Sequence, residues 1–129
     1  MKTTMMLALA GALSLSAVQA NAADAKGEIV TAETHAGLAA KATAIDGVHM
    51  HLHHTLNCLV GPSGTGFDAK QMNPCANSGN GAIPDTTDAA KKKSLEAAAA
   101  KATTGIAATD LAAAQKDASE TEAMLKAAE

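Results

Sequence analysis

Four of the chain's five histidines fall within six residues, His49-Met50-His51-Leu52-His53-His54, and the fifth is His35. Imidazole is a borderline ligand that suits copper, zinc and nickel. A tract this dense is a compositional signal for metal binding. His49 and His53 are spaced i, i+4, which puts two rings on one face of a helix and lets them meet one ion. On a single helix, His35, His49, His53 and His54 form a row beside the apolar stripe. Asp46 lies on the same side, as a third ligand or a hydrogen-bond acceptor for a ligating imidazole, and His51 points away. The expected ligand set is therefore His49 and His53, helped by His35, His54 or Asp46. The same row would accept haem b through axial histidines. Any haem would be non-covalent, because no Cys-x-x-Cys-His sequence is present.

A rival geometry uses the same residues. Val48 to His53 alternates apolar and polar, which is also a strand pattern, and it would put His49, His51 and His53 on one strand face. The helix is preferred because Val30, Leu38, Ile45, Val48, Leu52, Leu56 and Leu59 form one helical stripe over a much longer stretch.

Three zones must position these residues. Residues 28–59 lack proline and read as one long helix, loosened at Gly37 and Gly47. Residues 60–85 are dense in glycine, proline and asparagine and read as an irregular loop. Residues 86–129 are rich in alanine, lysine and glutamate. Thr86, Thr87 or Asp88 can cap a helix there, Thr103-Thr104-Gly105 offers a break, and Thr109 or Asp110 can cap a further helix. Cys58 and Cys75, the only cysteines, are expected to pair and pin the loop. A loop of this size contributes about 3 kcal/mol in the chain-entropy picture. The fold class expected is all-α, with two long helices, or three if the last zone breaks, in an antiparallel hairpin joined by the disulfide-pinned loop.

Residues 1–22 have the parts of a cleavable secretion signal: Lys2, an apolar run from Met5 to Leu15, and small residues before a cut after Ala22. The run is too short to span a bilayer, so a periplasmic or secreted protein without a membrane span is expected. The remaining chain divides into 23–85, the histidine helix with its loop, and 86–129.

Composition narrows the function further. The chain has Phe67 as its only aromatic residue and no arginine, with ten lysines against 13 acidic residues. Arginine forks and aromatic platforms are the usual tools of nucleic-acid recognition, so no nucleic acid is expected as a partner. Alanine dominates the apolar count, which implies a thin core in need of a staple or a homodimer that would form four helices. Little material is available for a water-excluding pocket, so no enzyme is expected. Gly61-Pro62-Ser63-Gly64-Thr65-Gly66 lacks the Gly-Lys-Ser/Thr ending of a phosphate loop and reads as a turn. Two readings remain. One is a non-enzymatic protein that buffers, delivers or senses copper, zinc or nickel. The other is a structural or protein-interaction module, with a periplasmic partner, whose histidines are packing or pH-sensitive groups.

Overall fold

A computed structural model describes residues 23–129, so the expected signal at 1–22 lies outside the described residues. The described chain folds into five helices, α1 (Ala25–Lys41), α2 (Ile45–Val60), the short α3 (Ala82–Asp85), α4 (Ala89–Ala107) and α5 (Leu111–Ala128), so the loop expected over 60–85 is confined to 61–81. No strand occurs among these residues, and Val48 to His53 is helical. Among the described residues, no helix is long and apolar enough to cross a membrane.

Side-chain caps start three of the four long helices. Asp24 accepts from Gly27 N, Asp88 from Lys91 N and Asp110 from Ala113 N, each filling an orphan donor of the first turn. Asp88 and Asp110 are expected caps, but the break expected at Thr103-Thr104-Gly105 lies inside α4, which runs on to Ala107 before the chain turns at 108–110.

The expected single helix over 28–59 is two helices. The chain breaks at Ala42-Thr43-Ala44, where Ala42 and Ala44 both adopt extended backbone. Gly37 and Gly47 stay inside α1 and α2. The Ala42 carbonyl, freed from the helix ladder, accepts a 2.8 Å hydrogen bond from Gln115 Nε2 on α5. This partner is remote in sequence, so the break depends on tertiary contact. Once α1 is released from the register of α2 it chooses its own buried face. Ile29, Ala32, Ala36 and Ala39 point inward, while Val30 and Leu38, counted in the expected stripe, are exposed.

The four long helices neighbour one another in the ring α1–α2–α4–α5. Cross-links at their ends show that neighbours run antiparallel. His49 near the start of α2 reaches Ala108 at the end of α4, and Lys91 near the start of α4 reaches Glu129 beyond α5. The four-helix arrangement expected of a homodimer is thus formed within one chain. Its core is thin, as composition demanded. Ile29, Leu56, Leu59, Leu95 and Leu125 form one cluster with alanines, and Val48 and Leu52 form another with Ala39, Ala102, Ala114 and Ala118.

The disulfide Cys58–Cys75 is present, with Cα atoms 5.1 Å apart, and both residues are buried. The loop that follows α2 returns on itself where Gly61 (φ 70°) meets Gly81 (φ 117°). A Cβ on Gly81 would lie 2.6 Å from Gly61 N, so both the positive φ and the close approach require glycine. Asn57, fully buried on α2, organises the loop interior. Its Nδ2 donates to the carbonyls of Asp68 (3.0 Å), Met72 (3.1 Å) and Gln71 (3.4 Å), and its Oδ1 accepts from Asp68 N at 2.9 Å.

Glu28 is fully buried on α1 against the end of this loop. Its Oε1 accepts from Gly81 N at 2.9 Å, and its Oε2 has no partner. Burial pushes its carboxyl up from 4.5 to about 7, opposed by the Gly81 N–H and reinforced by Asp85 and Asp24. The unfolded chain ionises this group near 4.5, whereas the folded chain keeps the proton until about 7. The associated stability is therefore complete at low pH and is lost as pH rises through that window, by at most about 3 kcal/mol. Glu28→Gln should remove this loss. Urea midpoints of the two proteins should converge near pH 4.5 and favour the variant near pH 8, and parallel pH profiles would contradict the assignment.

Candidate metal centre

Two helix faces meet at the centre. His51 and His54 are spaced i, i+3 on α2 and so lie on one side of that helix. His35 comes from α1, brought opposite them by the antiparallel packing. The register between the helices is held by Thr55, whose Oγ1 donates to Ala32 O on α1 at 3.2 Å and to His51 O at 3.0 Å.

The three rings stand in contact. Ring centroids are 5.1 Å apart for His35 and His54, and 5.6 Å for His35 and His51 and for His51 and His54. One nitrogen from each ring can be chosen so that all three lie within 4.8 Å of one another. His35 Nδ1 and His51 Nδ1 are 3.4 Å apart. Two imidazole nitrogens on one tetrahedral zinc ion, each about 2.05 Å from the metal, are about 3.3 Å apart. That pair stands at ligand spacing, in a contact that also serves as a hydrogen bond between the two rings, and His54 adds the third imidazole of the set. The fourth position of a tetrahedral ion stays open. Rings in mutual contact leave no slot for a porphyrin between any two of them, so the cluster suits an ion and not haem b.

Electrostatics favour neutral, ligating imidazoles. Burial holds the His35 pKa below the usual 6.5, helped by the neighbouring His54 and His51. Burial does the same for His54, helped by His51 and His53. His54 is 6% exposed, and its Nδ1 has no hydrogen-bond partner. A metal ion would satisfy such a nitrogen.

The other expected ligands are placed elsewhere. His49 Nε2 donates to the Ala108 carbonyl at 2.9 Å, tying α2 to the end of α4. His53 faces the loop, with Nδ1 3.7 Å from Asp68 Oδ2. Asp46 is exposed in the first turn of α2 and is not in the cluster. The structure therefore groups His35 and His54 with His51, the histidine the single-helix reading turned away. The i, i+3 spacing of His51 and His54 was a usable signal. It was hidden because His35 was placed on the same helix instead of on a second helix facing them.

Comparison of the chain with family models, with curated proteins and with solved structures gave no match.

Proposed function

We propose that this chain is a non-enzymatic metal-binding protein that holds one copper, zinc or nickel ion on His35, His51 and His54, for buffering, delivery or sensing. The observation that carries the reading is the convergence of three imidazole nitrogens from two helices within 4.8 Å. The Cys58–Cys75 disulfide supports an oxidising compartment, such as the periplasm or the exterior, in line with the signal-like start of the sequence.

Metal loading of the chelator-stripped, disulfide-bonded protein tests the proposal. One zinc or copper ion per chain is expected, with three imidazole nitrogens in its X-ray absorption shell. Binding should weaken as pH falls, because protons compete for the same nitrogens. Failure to retain any ion at micromolar concentration would sink the reading.

The second reading also has an observation behind it. His54 packs edge-on against both His35 and His51, an ordinary way for rings to fill an interhelical seam. On that reading the histidines are packing or pH-sensitive groups of a structural module. Its thermal stability would then be indifferent to added metal, whereas a bound ion raises it.

A further inference from the structure

We infer that Met50 supplies a fourth, sulfur ligand to the three-histidine centre and that the ion it selects is cuprous copper. The inference rests on the ligand set proposed above. Met50 precedes His51 directly and stands one turn before His54, in the i, i+4 relation, on α2. It is 41% exposed in a chain whose core is so short of large side chains that alanine fills much of it. A methionine acting as core filler would be turned inward.

The geometry lets its sulfur reach the ion. Residues at i, i+4 share one helix face with Cβ atoms about 5–6 Å apart, so the unbranched methionine side chain stands beside His54 and can turn its sulfur into the gap between them by rotamer change. Gly47, at i−3 from Met50 and i−4 from His51, has no side chain to obstruct the swing. A Cβ built there would meet only Ala42 Cβ, at 3.2 Å.

Ligand chemistry then selects the ion. Thioether sulfur is a soft donor that suits Cu(I), while Zn²⁺ is held by imidazole, thiolate and carboxylate. The cluster contains histidines only, so every ligand is neutral. An ion then keeps its full charge beside the nearly buried His54, and the desolvation cost of a univalent ion is smaller than that of a divalent one.

Competition titrations on the disulfide-bonded protein test the assignment, using bicinchoninate with ascorbate for Cu(I) and a chromogenic chelator for Zn²⁺. Met50→Leu should weaken Cu(I) at least tenfold and leave Zn²⁺ unchanged. It should also remove a sulfur scatterer from the copper absorption edge, while Met72→Leu, at an exposed loop position, changes neither. Unchanged Cu(I) affinity in Met50→Leu, or equal losses for both metals, overturns the inference and leaves the three-histidine site standing. If the wild-type protein binds neither ion, both readings fall.

Discussion

An Asn57→Ala protein is expected to unfold about 3 kcal/mol more easily than wild type, one of the largest losses available to a single substitution in this chain. The side chain is fully buried and meets three carbonyls and one N–H of the loop. Truncation leaves those groups without a partner, and each stranded polar group costs about 1–3 kcal/mol unless water enters. Local detachment of the loop relieves part of the cost, which is why the sum of four such terms is not expected. The disulfide, worth about 3 kcal/mol, holds the same loop from the next residue along α2. The two constraints should therefore be non-additive. Chemical denaturation of wild type and Asn57→Ala, each oxidised and reduced, gives the four corners of the cycle. Strict additivity, or a loss below about 1 kcal/mol in the oxidised pair, would show that the loop does not depend on Asn57.

His51→Ala should lower metal affinity by a hundredfold or more, whereas His49→Ala should leave it within a fewfold of wild type. Removal of one of three nitrogen donors leaves an ion on two, and His51 sits at ligand spacing from His35 already. His49 instead donates to Ala108 O, so its loss costs a tie between α2 and α4 and lowers stability by about 1 kcal/mol. The two readouts therefore separate cleanly. His51→Ala changes affinity, and His49→Ala changes the denaturation midpoint. Calorimetric titration with Zn²⁺, paired with urea unfolding of the metal-free proteins, measures both. The reverse pattern would return the site to the His49 and His53 pair suggested by helical spacing.

Local chemistry made much of this fold legible. Aspartates followed by alanine-rich runs marked the starts of α4 and α5, and Cys58 and Cys75 pair as expected, but the glycine- and proline-rich stretch gave no sign of α3 at Ala82–Asp85. The break between α1 and α2 has no such marker. Ala42, Thr43 and Ala44 all tolerate a helix, and the groups that stabilise the turn come from Gln115, far along the chain. An error there propagates into the site. With one helix, the side of α2 bearing His51 would face away from His35; with two, it faces His35 across a seam. The apolar pattern misled for a related reason. Val30 and Leu38 are larger than Ala32 and Ala36, but α1 packs closely on its neighbours through the small residues and leaves the large ones outside. Burial in a core this poor in bulk follows backbone approach more than side-chain size.

Cys58 and Cys75 are separated by 17 positions, and both precede α4. The partners they need in order to meet, the end of α2 and the loop with its Asn57 anchor, are all local. A chain emerging N-terminus first can therefore oxidise this pair before α4 and α5 exist as helices. The second half would then add to a closed ring as a hairpin of its own, joined across the short turn at residues 108–110. Docking of the two units then has to make the sequence-distant seams, α1 on α5 with its Gln115–Ala42 bond and α2 on α4 with its His49–Ala108 bond, so this step and not the disulfide ring carries the long-range cost of folding.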